Sequence, residues 1–88
     1  MYSIFYTESA RQDLLKLEKK TAQRIIKKIA FFRNQKKPLS FAKSLKNASL
    51  GQYRFCVGSY RVIFDVDTKG NLHLLMILKV THQKDVYV

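Results

Sequence analysis

Eighty-eight residues with 47% hydrophobic and 12% aromatic side chains suffice for one packed domain, residues 1–88, and argue against a disordered tail. Seventeen Lys and Arg against six Asp and Glu give a formal charge of +11, which predicts an anionic partner: nucleic acid, an acidic protein or an anionic membrane. One cysteine cannot form an internal disulfide, no apolar run approaches the ~20 residues of a membrane span, and the N-terminus does not resemble a signal peptide, so a reducing cytoplasm is expected.

Tyr2 to Tyr6 reads as a short apolar strand. Thr7 is a good helix N-cap, with Glu8 in the first turn, where the helix dipole favours a carboxylate. Ala10, Leu14 and Leu17 recur at helical spacing, and Ile25, Ile26, Ile29 and Phe32 form a second stripe. At ~100° per residue the second stripe is rotated about a quarter turn from the first. A break near Lys19 to Thr21 is therefore expected, giving a helical hairpin with Thr21 as the second cap. The second helix fades through Asn34 to Lys37 and is ended by Pro38. Residues 38–51 read as a connection.

Residues 52–64 alternate apolar and polar side chains around Gly58-Ser59, the pattern of a β-hairpin. A two-residue loop puts Val57 opposite Tyr60, Phe55 opposite Val62, and Tyr53 opposite Phe64 on one apolar face. Cys56 then opposes Arg61 and Arg54 opposes Ile63 on the other face. Both arginines point the same way, one diagonal step apart, where like charges cost stability unless an anion lies between them. A turn is expected at Asp67 to Asn71, followed by a nearly continuous apolar strand from Leu72 to Val80. That turn places Asp65 opposite His73, with Lys79 and Thr81 on the arginine face. The expected fold class is α+β: an N-terminal strand, an α-helical hairpin and a three-stranded antiparallel meander, with the helices on one face of a curved sheet.

The charge is uneven. Residues 11–46 hold twelve Lys or Arg and two acids, whereas the rest of the chain is nearly balanced. His73 and His82 lack the spacing of a metal site, Cys56 reads as a small packed residue, and no cofactor motif is present. What remains is a basic cleft: Arg54, Arg61, Lys43, Lys46 and Lys79, with His82, Lys84 and Tyr87 from the tail. RNA can be cut without metal when its 2′-hydroxyl is the nucleophile. Such a site needs a proton acceptor, cations for the charge growing on phosphate, and an acid for the leaving oxygen. Arginine suits the second task through planar, bidentate contacts, and His82 has a fitting unperturbed pKa for proton transfer. The competing structural roles are an Arg61 pair with Asp65 or Asp85, His82 at a strand end, and Tyr87 packed on the sheet.

The start from Tyr2 to Leu17, the segment Ala42 to Lys46, the run Gly51-Gln52-Tyr53-Arg54 on to Phe64, and the ending His82 to Tyr87 together resemble the RelE/ParE superfamily of toxin–antitoxin toxins. The resemblance covers nearly the whole chain. It implies a cytoplasmic toxin held inactive by an antitoxin, expected to be acidic and encoded adjacently. In one branch of that superfamily the toxin is a metal-independent endoribonuclease that cuts mRNA on the ribosome. Carried over, Arg54 and Arg61 match the hairpin basics, Lys46 a basic position before the hairpin, and Tyr87 the terminal aromatic. Ile63, with Leu75 or Ile77, is expected to be exposed and to form part of the antitoxin groove. Two departures stand out: Cys56 occupies a position where many members are basic, and Gln83 one where an arginine commonly follows the histidine. A gyrase-inhibiting toxin and an inactive homologue that only binds antitoxin are therefore the alternatives.

Overall fold

The computed structural model describes residues 2–46, 49–70 and 72–82. Its elements are β1 (Tyr2–Tyr6), α1 (Glu8–Leu15), α2 (Lys19–Arg33), a 3-10 turn at Pro38–Phe41, β2 (Lys43–Ser44), β3 (Tyr53–Val57), β4 (Tyr60–Lys69) and β5 (Leu72–His82). They form one five-stranded sheet in the order β1-β5-β4-β3-β2. β1 runs parallel to β5 and the other neighbours are antiparallel. The fold is thus the expected α+β arrangement, with β2 and the 3-10 turn added inside what reads from sequence as a connection.

Thr7 caps α1, its hydroxyl oxygen accepting from Ala10 N at 3.2 Å, and Glu8 sits in the first turn. The break between helices falls earlier than expected. α1 tightens at its end, with Leu17 N donating to Leu14 O at 3.1 Å, so half-buried Leu17 turns down onto the core. α2 then starts behind Glu18, and Thr21 lies within it rather than capping it. Ile25, Ile29 and Phe32 of α2 and Ala10 and Leu14 of α1 pack on Phe55, Val57, Val62, Phe64, Leu75, Ile77 and Val80. Ile26 is left 42% exposed. Phe32, Phe55 and Phe64 stack in sequence, at centroid distances of 4.5 Å and 4.4 Å. Each such buried side chain contributes about 1.5–3 kcal/mol.

The β3–β4 hairpin has the expected register throughout, from Val57↔Tyr60 to Tyr53↔Phe64. Gly58 takes φ 58°, and no non-glycine residue among those described has positive φ. A positive φ at the first of two turn residues is what a type II′ hairpin requires.

The β4–β5 pairing departs from expectation. β4 runs on to Lys69, and Asp65 pairs with Met76 instead of His73. Farther along, Ile63 pairs with Lys79 and Phe64 with Ile77, so Leu78 is an extra residue, a β-bulge. The bulge resets the alternation: Val80 and Ile77, three positions apart, both face the helices. Leu75 and Ile77, expected on the open face, are therefore fully buried in the core. Ile63 does belong to the open face but is only 2% exposed, because the loop before β3 crosses it. A Cβ added to Gly51 would lie 2.6 Å from Ile63 Cγ2 and 3.1 Å from Leu78 Cδ1. None of the three offers the exposed apolar surface that a groove needs.

Candidate functional site

Cross-strand partners share a face, so the register lays out the open side of the sheet in rows. One row runs Lys43, Arg54, Ile63, Lys79 across β2 to β5, and the next runs Cys56, Arg61, Thr81. Arg54 and Arg61 are diagonal neighbours, about 7–8 Å apart at the backbone. The face thus gathers four cations around the buried Ile63, with exposed Cys56 between the arginines. Lys46 is exposed on the loop that follows β2.

Among the described residues neither arginine is neutralised, and Asp85, one candidate partner of Arg61, lies outside them. Among the described residues no carboxylate lies within ion-pairing range of Arg54 or Arg61. Asp65, a candidate partner for Arg61, instead accepts from Gln52 N at 2.8 Å. Lys79 leans away toward Asp13 at 3.9 Å, with half of its own side chain exposed. Arg54 Nε, Arg61 Nε and Thr81 Oγ1 are buried and have no hydrogen-bond partner among the described residues. Leaving such a group unpaired costs about 1–3 kcal/mol. Arg33 Nε, at the end of α2, is in the same state, but only on the open face do two such guanidiniums and a hydroxyl lie on adjacent rows.

His82 is not part of that cluster. It pairs with Tyr60, whose side chain lies on the helix side, and the two rings meet edge to face at 5.1 Å. With Tyr60, Asp13, Lys16 and Leu17 it lines a cleft of about 360 Å³ beside α1, which Lys79 and Thr81 of the cationic rows also line. The reason is the two-residue alternation of a strand: Arg61 and Thr81 face one way, Tyr60 and His82 the other. Lys84 and Tyr87 lie outside the described residues. Thr81 is the residue that motif reasoning undervalued. Its place on the arginine face was legible, but its pairing with Arg61 and its lack of a partner emerge only once the register and the surroundings are in place.

A model of the family described as ParE toxin of type II toxin–antitoxin system, parDE, matches residues 4–87. Toxin RelG of Mycobacterium tuberculosis is 29% identical over 86 residues, which span 98% of this chain and 95% of that protein. Among solved structures, a chain in the toxin–antitoxin complex RelBE2 from Mycobacterium tuberculosis is similar with a TM-score of 0.72 and 28% identity, over 92% of this chain and 96% of that one. The YoeB/ParE toxin from Agrobacterium tumefaciens shares the fold, with a TM-score of 0.64 and 19% identity over 91% of this chain and 97% of that one.

Proposed function

The chain belongs to the ParE toxin family of type II toxin–antitoxin systems, and from that premise we propose that it blocks translation as a metal-independent, ribosome-dependent mRNA endonuclease. The observation that carries this reading is the diagonal pair Arg54 and Arg61, which among the described residues have no carboxylate partner and each an unpartnered Nε. A phosphodiester seated between them offers the acceptor oxygens that both guanidiniums lack. As the 2′-hydroxyl attacks phosphorus and the 5′-oxygen leaves, the extra negative charge falls on oxygens already held by fixed cations. Thr81 Oγ1 supplies a further hydrogen bond to the same phosphate, and Lys43 lengthens the cationic row for the flanking nucleotide. His82 faces the helices but shares a cleft with Lys79 and Thr81, so proton transfer is assigned to His82 or to Tyr87. An antitoxin is the inhibitory partner, as in the complex that the RelBE2 structure records.

The test is primer extension on an mRNA translated in a cell-free system, with and without the protein. Cuts aligned with codons that disappear when ribosomes are omitted support the reading, and an intact message overturns it. One observation favours a second reading. Cys56 and Thr81 occupy two places in the arginine row and bring no charge, which suits a toxin directed at DNA gyrase. Inhibition of gyrase supercoiling in vitro by a protein that spares mRNA would establish that reading.

A further inference from the structure

We propose that the outward face of α2 is a separate surface for single-stranded RNA, with Phe31 as the ring on which a base stacks. It lies on the helix side, away from the arginine rows, and stands independently of how those rows act. A groove of about 400 Å³ is lined by Lys20, Gln23, Arg24, Lys27, Lys28 and Phe31. These positions fall at intervals of three and four along one helix face, so successive cations rise about 6 Å per turn. No Asp or Glu occurs between Glu18 and Asp65, and among the described residues none of these cations has a carboxylate partner. Such a stripe repels itself until an anion with regularly spaced charges lies along it.

Charge alone would fit any polyanion; the aromatic ring narrows the choice. Phe31 is 49% exposed, with Lys28 Nζ 4.9 Å from its centroid. Its ring is fixed edge-on against Phe32 and Phe41, at 6.0 Å and 6.5 Å. Phe32 in turn stacks on Phe55 within the core. A ring held by its neighbours, with Lys28 over it and further Lys and Arg along the same groove, has the composition of single-strand binding grooves, where phosphates meet Lys and Arg and bases stack. The exposed apolar groups suited to a protein partner, Leu15 and Ile26, line a different groove with Tyr6 and Arg11. At the other end, Arg24 borders Gly58 at the hairpin turn, which carries the cationic path toward the sheet.

The test is fluorescence anisotropy with a labelled oligouridylate over a salt series. Wild-type protein is expected to bind it, with log affinity falling linearly with log salt. Lys20→Gln with Lys27→Gln should lower that slope by about 1.4, or about 0.7 for each phosphate contact. Phe31→Leu should weaken binding roughly fivefold or more with little change in slope. Circular dichroism checks that each variant is folded, and the lysine pair, being exposed, keeps the test decisive if Phe31→Leu is not. Absence of binding, or binding abolished by Arg54→Ala with Arg61→Ala yet untouched by the α2 variants, overturns the proposal. So does displacement of the labelled oligouridylate from the wild-type protein by poly-glutamate as readily as by unlabelled oligouridylate, which would mark a face for acidic protein.

Discussion

Asp13 Oδ2 accepts a hydrogen bond from Val80 N at 2.9 Å, across 67 positions of sequence. β1 pairs with β5 only as far as Tyr6 and Ile77. Beyond that point Thr7 N donates to Ile77 O and Thr7 Oγ1 to Leu78 O, and Asp13 satisfies the next exposed amide. The start of α1 thus serves as the missing continuation of the edge strand. Asp13→Ala should cost about 1–3 kcal/mol by orphaning the Val80 amide. Asp13→Asn keeps an acceptor and loses only the partly exposed pair with Lys79, a cost below about 1 kcal/mol. Urea denaturation of both variants separates the two contributions; equal losses would mean that the ion pair, not the amide, matters.

Gly51 and Gly70 make a second contrast. Gly51 has φ 149°, and an added Cβ would meet Ile63 and Leu78 at 2.6 Å and 3.1 Å. Ile63 is buried and cannot yield, so Gly51→Ala should destabilise by about 2–4 kcal/mol. Gly70 has φ 60° and nothing within 4 Å, so Gly70→Ala should cost about 1 kcal/mol. Thermal melting of the two variants gives the comparison directly.

At the arginine face stability and activity should move in opposite directions. Thr81→Val removes a buried hydroxyl that has no partner, so the folded protein should gain up to about 1 kcal/mol. If that hydroxyl holds the phosphate, cleavage should fall in the same variant. Arg61→Ala should leave the fold intact and lower cleavage by ~10²-fold or more. Single-turnover cleavage of ribosome-bound mRNA, read beside a melting curve, checks both. An unfolded Arg61→Ala would make that arginine structural.

Tyr6 predicts the alkaline limb of stability. Burial raises its phenol above the ordinary value of 10.0, and Arg33 pulls in the opposite direction more weakly. The unfolded chain releases this proton near pH 10, whereas the folded chain holds it to higher pH. Between those points the unfolded state binds fewer protons, so stability present below about pH 10 is lost as pH rises. Tyr6→Phe should flatten that loss; melting temperatures from about pH 9 to about pH 11 measure it.

Much of this architecture can be read from residue order, and particular residues show where legibility ends. Gly58 and Ser59 between alternating strands specify the hairpin register, because a one-residue slip would bury Arg54 and Arg61 and expose Phe55 and Phe64. Thr7 and Glu8 announce α1 by chemistry that acts within a few residues. Leu72 to Val80, in contrast, is apolar at almost every position, so nothing in its pattern reveals the phase change at Leu78. Ile63 looks exposed by alternation, and only the crossing of Gly51 over it, a contact between loop and strand, hides it. His82 directly follows Thr81, so its side of the sheet is already given by placing Thr81 with the arginines.

The parallel pairing of β1 with β5 ties the earliest part of the chain to the latest described strand, with Thr7 bonding to Leu78 71 positions away. β5 is also the neighbour of β4 and carries Lys79 and Thr81. During synthesis, β1 and α1 must wait for the strand they dock on, and closing so long a loop is a late and slow event. A nascent chain stalled before Leu72 lacks the strand around which the sheet is organised, and with it Lys79 and Thr81 of the two rows. The sheet therefore cannot close until β5 has been made.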